Sequence, residues 1–561
     1  MRYVKSLLIA ALVMAMGSAA YAELQNVEVG GSIRIRGNYY SSAGATDAFN
    51  TIRNPAVQPW WFSSFGALNP ANGLRSPGLP FFGLGLPFRP LGGRTGNVFG
   101  LFKWNDDGES LSWVEQRTRL YVKADFTNEV CAYIELDSYD VWGEDFRSNY
   151  ITGNDFRAAS GDDVEIYQAY IEASEMFGYP LRLRVGRQEL KFGSEWLVGT
   201  NDTAAFFPGL SFDAVRLTYA TDLFSLDAVW SKLAETSPLE EDGDVDFYAL
   251  YGSYLGIEDI TIDAYYMLLR DGRGVGIPHL NGLYGNDTQL GIFGEWVEDL
   301  FGVDQYDPTY LHTVGLRGAG EIGAFDFEAE VAYQFGEADA VGRYFGPVFY
   351  GDNDADFDNV AGNLELGYTF DMAYTPRVFL GGAYIGGEDN RDISFWQWLV
   401  GQFNPFYTAD ASVSFNRLFS NWEYTEFFEN TDLSNVWLVR GGVSVNPTEN
   451  VEVLLTATYF ESLEEFSDTW PDYNLWGNRL TWFSPLSWIT EEHDSSLGTE
   501  VGLYVTYNYS EDLTFSAGWA HLFVGDGLSE GQYSGNNGLG FLGGTNDDDA
   551  DYVFVETEIS F

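Results

Sequence analysis

The amino-acid sequence predicts an all-β transmembrane barrel of about eighteen antiparallel strands, with short periplasmic turns and long extracellular loops. Three observations carry that prediction. Apolar and polar residues alternate through one segment after another. The connections between these segments are short and long in strict turn. Past residue 22, no apolar run reaches the ~18–20 residues that a spanning helix needs. Aromatic residues are 17% of the chain and glycine occurs 63 times, as suits a barrel with aromatic belts and tight turns.

The first element is not part of the barrel. Residues 1–22 carry Arg2 and Lys5, an apolar stretch from Leu7 to Met16, and the small-x-small site Ala20-Tyr21-Ala22. That is the pattern of a secretory signal peptide, leaving 23–561 as a single outer-membrane barrel domain. The exported chain has one cysteine, Cys131, so it has no internal disulfide framework. A net charge of −54 excludes nucleic acid as a partner, because the basic footprint is missing. It does not exclude a membrane, since a barrel confines charge to its lumen and loops.

The strands follow in order. Alternation places them near 26–40, 110–126, 129–140, 164–176, 180–190, 212–220, 223–232, 245–255, 259–270, 310–320, 323–336, 358–371, 375–386, 434–447, 450–461, 496–509, 512–523 and 550–561. In the first, Val27, Val29, Ile33 and Ile35 oppose Glu28, Ser32, Arg34 and Arg36. In the second, Leu120, Val122, Ala124 and Phe126 oppose Arg117, Arg119, Lys123 and Asp125. The last runs "DYVFVETEISF", with Val553, Val555, Thr557, Ile559 and Phe561 on one face. A terminal strand ending in Phe resembles the signal read by the barrel-assembly machinery, an expected partner.

Short turns include "TNE", "FGYP", "TD", "GIED", "NPTEN" and "YSED". Long excursions cover 41–109, 141–163, 191–211, 233–244, 271–309, 337–357, 387–433, 462–495 and 524–549. A soluble sandwich has no reason to sort its loops by side; a barrel in a bacterial outer membrane does. The first excursion is rich in Pro, Gly, Phe and Trp, and reads either as a lid over or into the mouth or as a sugar-stacking surface. The seventh, with "FWQWLVGQFNPFY", leaves the same two readings. Acid runs at "EEDGDVD", "GDNDADFD" and "NDDDAD" read as solvated exterior. Calcium binding between loops is the other reading, but Phe357 and Asn363 stand where an EF-hand loop needs Gly and Glu.

Catalytic constellations are absent. His279, His312, His493 and His521 are scattered, with no HExxH pair and no triad arrangement. No enzyme activity, metal or cofactor is expected. The informative residues are arginines. A cation at mid-membrane on the lipid face costs about 2–4 kcal/mol, so alternation sends cations inward. Leu181, Leu183 and Val185 take the outside, leaving Arg182 and Arg184 to the lumen; the same parity sends Arg34, Arg36, Arg117, Arg119, Lys123, Arg216, Arg317 and Arg440 there. Carboxylates share that interior, among them Glu135, Asp137, Glu172, Asp227, Asp263, Glu328, Glu330, Glu365 and Glu500. Two readings stand level: an ion-pair lattice that holds a wide barrel open, or an anion track of guanidinium forks.

The stretch "AYIEASEMFGYPLRLRVGRQELKFGSEWLVG", residues 169–199, resembles the alginate-export family through its paired strands around a short turn and its "VGRQEL" segment. The resemblance implies an outer-membrane pore with an arginine-rich constriction that passes anionic uronate polymer, gated by a loop or plug. By motif position Arg187 and Gln188 join the lumen set, with Gly193 at the turn; Trp196 stands where the family has an arginine. The expected function is passive passage of anionic saccharide polymer or small anions. A general cation-preferring porin with an acidic mouth, and a surface-structural barrel with divalent-bridged loops, are the alternatives. Outer-membrane lipid, lipopolysaccharide and periplasmic export proteins are the remaining expected partners.

Overall fold

The computed structural model describes residues 23–41, 110–127, 129–142, 164–200, 209–234, 245–271, 309–337, 355–387, 415–427, 434–463, 494–526 and 549–561, with short pieces between them. The 1–22 segment lies outside these residues, as does nearly all of the first excursion; the three acid runs are described only where they enter a strand, at 245–246, 355–358 and 549–551. Eighteen strands close into one antiparallel barrel, each paired with its sequence neighbours. They are β1 (Leu24–Ser41), β2 (Ser110–Phe126), β3 (Val130–Val141), β4 (Glu165–Ala173), β5 (Leu181–Gln188) and β6 (Phe212–Ala220). Next come β7 (Phe224–Ala234), β8 (Val245–Ile257), β9 (Ile260–Asp271), β10 (Thr309–Ile322), β11 (Phe325–Glu337) and β12 (Ala355–Thr369). The circuit is completed by β13 (Arg377–Ile385), β14 (Val436–Thr448), β15 (Val451–Ser462), β16 (Ser496–Asn508), β17 (Leu513–Val524) and β18 (Ala550–Ser560).

The seam joins the two ends of the chain. Ser32 to Tyr40 of β1 lie opposite Ser560 to Tyr552 of β18. Below them, Gly31 and Phe561 exchange two backbone hydrogen bonds of 2.9 Å. Closure leaves no sheet edge along the seam, which lipid would penalise.

Alternation sets the two surfaces. Leu183, Val185 and Ile171 face out on β5 and β4, as do Leu316 on β10, Leu380 on β13 and Val555 on β18. This exposed apolar band is the lipid-facing wall of the barrel. No helix among the described residues is long and apolar enough to cross a membrane, so the strands do the crossing.

The packed core lies inside the barrel, at its extracellular end. Inward apolar side chains near the upper strand ends, among them Tyr40, Phe212, Phe247, Leu311, Leu438, Phe460 and Tyr552, are buried. They pack around two inner segments, 189–200 after β5 and 415–427 before β14, which supply Leu190, Trp196, Leu197, Phe415, Phe419 and Phe427. The sequence reading assigned both segments to long loops; part of each folds into the bore.

Candidate functional site

The "VGRQEL" stretch is where the wall hands the chain to the bore. Gly186 has φ +129°, and a Cβ there would fall 2.3 Å from the Ala169 carbonyl oxygen, so no larger residue fits without moving β4. Gln188 is fully buried, and its Nε2 donates to the Ala214 carbonyl at 3.0 Å and the Gly186 carbonyl at 3.2 Å. Beyond it the chain turns inward. Gly193, at φ +55°, leaves space for Tyr251 and Arg317, whose atoms lie 2.8 and 2.9 Å from where its Cβ would stand.

The inner segments hold each other. Phe419 N–H donates to the Leu197 carbonyl at 2.8 Å, and Gly199 N–H to the Phe419 carbonyl at 2.9 Å. Glu195 accepts from Thr200 N–H and Asn421 Nδ2, each at 3.0 Å. Trp196, at the position of the family's arginine, is fully buried, and its Nε1 donates to Tyr424 Oη at 2.8 Å. Tyr424 Oη donates in turn to Asn363 of β12 at 2.9 Å. Gln334 of β11 clamps Asn416 through two bonds of 2.6 and 2.7 Å. Across the bore, Thr425 Oγ1 and Glu426 N–H donate to Glu500 of β16. Burial pushes the Glu426 carboxyl above the usual carboxylate range, against the opposing pull of Arg36, Tyr504 and Arg440.

Below this layer the charged side chains form a lattice. Arg34 Nε meets Glu556 at 2.9 Å, and Arg36 meets the same carboxylate at 3.4 Å while its guanidinium lies 3.8 Å from the Phe554 ring centre. Arg119 pairs with Asp137 at 3.2 Å and Glu189 at 3.7 Å, and covers the Tyr167 ring at 3.7 Å. Arg117 is buried beside them, opposite Arg34 and Tyr139 in register. Lys123 meets Asp125 at 3.3 Å; Arg216 meets Asp227 at 2.7 Å. Arg317 is held by Asp263 at 2.8 Å and Glu328 at 2.9 Å, with Glu330 at 3.9 Å. Arg440 lies 5.5 Å from the Phe379 ring centre, and the same ring takes Arg377 at 5.1 Å. Arg377, which sequence reasoning missed, binds Asp326 at 2.6 Å and Glu365 at 2.8 Å.

Two cations stay open to the bore near its periplasmic end. The side chains of Lys123 and Arg182 are 39% and 41% exposed; Arg182 reaches Glu172 only at 3.9 Å, whereas Arg184 grips it at 2.6 Å. Beside them runs an aromatic ladder that the sequence reading did not single out. Tyr121, Tyr133 and Tyr170 stack at 5.4 and 5.1 Å between ring centres, and Arg184 caps the ladder 4.2 Å from the Tyr170 ring. The signal was present in the sequence: Tyr121 has the parity of Lys123 on β2, Tyr133 that of Glu135 on β3 and Tyr170 that of Glu172 on β4. Gly186 sits directly opposite Tyr170 and contributes no side chain.

One expected lumen residue lies elsewhere. Arg187 has the parity of Leu183 and Val185 and faces outward, where its fork binds Asp213 at 2.9 and 3.0 Å. The family motif suggested the lumen for it; strand alternation overrides the motif. Gln188, by contrast, does point inward.

The family model described as alginate export matches residues 105–540. No curated protein sequence matches the chain. Among solved structures, the chain is similar to OccK11 (OpdR) of Pseudomonas aeruginosa, at 10% identity over 95% of this chain and 96% of that one, with a TM-score of 0.44. OccK8 (OprE) of the same organism gives 11% identity, 95% and 98% coverage and 0.44; OccD3 (OpdP) gives 11%, 96% and 93%, and 0.44.

Proposed function

Since the chain belongs to the alginate-export family and is an outer-membrane channel, we propose that it passes an anionic saccharide chain along the wall formed by β2 to β5. One observation carries this reading: the Tyr121–Tyr133–Tyr170 ladder lies beside Lys123, Arg182 and Arg184 on a single face. With their faces stacked on one another, the phenols offer a sugar their hydroxyl-bearing edges, which suit its hydroxyl groups, while guanidinium and ammonium groups bind carboxylates. The neighbouring Glu172 and Asp125 keep the cations from holding an anion tightly, as passage requires. The extracellular packed layer then gates the bore.

The test is current interruption in a planar bilayer. Uronate oligosaccharide added on the periplasmic side interrupts the wild-type current, and a neutral oligosaccharide of equal length does so more briefly. Tyr133→Ala with Tyr170→Ala shortens the interruptions for both sugars, whereas Arg182→Gln with Lys123→Gln shortens them for the uronate alone. Absence of uronate-specific interruption sinks the proposal. The second reading, a general cation-preferring porin, is favoured by the carboxylates that answer Arg34, Arg119, Arg216 and Arg317. Under that reading the zero-current potential across a KCl gradient shows cation preference, and neither sugar interrupts the current.

A further inference from the structure

Three cations on the eighteen strands face outward: Arg187 on β5, Lys232 on β7 and Arg270 on β9. They are not scattered. Arg187 is in register with Asp213, Asp213 with Lys232, Asp246 of β8 with Arg270, and Lys232 Nζ lies 3.3 Å from Asp246. The five side chains form one row of alternating charge on five successive strands, directly above the outward apolar residues Val185, Val215, Trp230, Tyr248 and Leu268. A cation in this row is at the membrane border, where it is tolerated, and not in the hydrocarbon.

Among the described residues, the rest of the extracellular border has no outward Lys or Arg on its strands. There Asp358 takes Tyr333 Oη at 2.7 Å, Glu461 takes Tyr459 Oη at 3.1 Å, and Asp551 takes Trp519 Nε1 at 2.9 Å and lies 2.9 Å from His521 Nδ1. In a chain of net charge −54, the outward Lys and Arg of the strands are confined to one wall. Asp213 orients Arg187 without covering it. Arg187 spends Nε and Nη2 on Asp213 and Nη1 on the Ile166 carbonyl, and its side chain remains 43% exposed. A guanidinium has five N–H groups, so two still face the border. Asp246, almost wholly covered, is anchored by Trp230 Nε1 at 3.1 Å and fixes Lys232 in place. Cations on every second strand stand about 9–10 Å apart along the row, two strand spacings.

We propose that this row docks the phosphate groups of the outer-leaflet glycolipid, lipopolysaccharide, against the wall of β5 to β9. Charge complementarity picks the occupant: a phosphate is attracted by this row and repelled by the carboxylates elsewhere on the border. The site is outside the barrel and independent of what crosses the bore.

The test is lipid retention by the full-length barrel purified from outer membranes and washed in detergent, with bound glycolipid measured by mass spectrometry. The triple variant R187Q/K232Q/R270Q retains about tenfold less glycolipid than wild type, the loss of roughly one charge-assisted contact. Its heat-modifiable gel mobility and uronate interruption stay at wild-type values, and D213N/D246N retains at least as much lipid as wild type. Unchanged retention in the folded triple variant overturns the proposal. So does a chemically cross-linked dimer through this row, which makes a second copy the occupant.

Discussion

Replacing Trp196 by Ala loosens the packed inner layer to which the proposed function gives the role of gate. The side chain is fully buried, stacks with Phe415 at 6.2 Å between ring centres, and donates to Tyr424. Truncating a buried Trp costs about 3–5 kcal/mol, of which the lost hydrogen bond is about 1 kcal/mol. Both contacts run between the two inner segments, so the loss falls on their docking. A cost of about 4 kcal/mol shifts the docked-to-undocked ratio by roughly a thousandfold. Trp196→Phe keeps most of the volume and loses the hydrogen bond, a shift of about fivefold. Single-channel recording reads this directly: W196A shows long-lived openings of higher conductance, and W196F brief ones. Folded W196A with wild-type conductance refutes the reasoning, since the packed layer then does not limit the current.

Gly186→Ala forces its Cβ onto the Ala169 carbonyl at an unfavourable φ and costs about 1–3 kcal/mol, seen as a lower temperature for loss of the heat-modifiable folded band. Arg317→Gln leaves Asp263, Glu328 and Glu330 facing one another; about 3–5 kcal/mol is lost, and refolding yield into detergent falls. The Glu426 carboxyl is raised by burial, so the docked state holds its proton over a pH range where the released segment has lost it. Docking is therefore tightest below about pH 4, the ordinary carboxylate value, and weakens as pH rises through the raised one. Conductance rises over that interval, and Glu426→Gln flattens the rise.

The wall was legible because its physics is local. Alternation at period two needs only a few consecutive residues, and Val553, Val555 and Ile559 declare their side of β18 without reference to any other strand. The same rule, applied to Leu183 and Val185, already contained the outward direction of Arg187. Motif position pointed the other way and was the weaker guide. The inner layer was illegible for the opposite reason. Trp196 meets Tyr424, and Thr425 meets Glu500, across separations in sequence that no periodicity spans. A fragment such as "GSEWLVG" looks like an irregular loop until the barrel supplies a surface to bury it. The choice between lattice and track depended on side-chain pairing. Glu556 reaching Arg34 and Arg36 from the far end of the chain is a fact of closure, not of spacing.

That closure governs the order of assembly. Most wall contacts join neighbouring hairpins and form as soon as two strands meet. The seam differs, because Arg34 waits for a residue 522 positions later in the chain. Loop-closure entropy of that size makes the last ladder the slowest to form. Until then β1 and β18 each carry a row of unanswered backbone donors and acceptors, the state most prone to pairing with another molecule. The guanidinium of Arg34 is compensated by Glu556 only once the ring shuts. The pair thus ties the electrostatics of the bore to completion of the barrel, and a chain stalled one strand short has an unbalanced interior as well as an open edge.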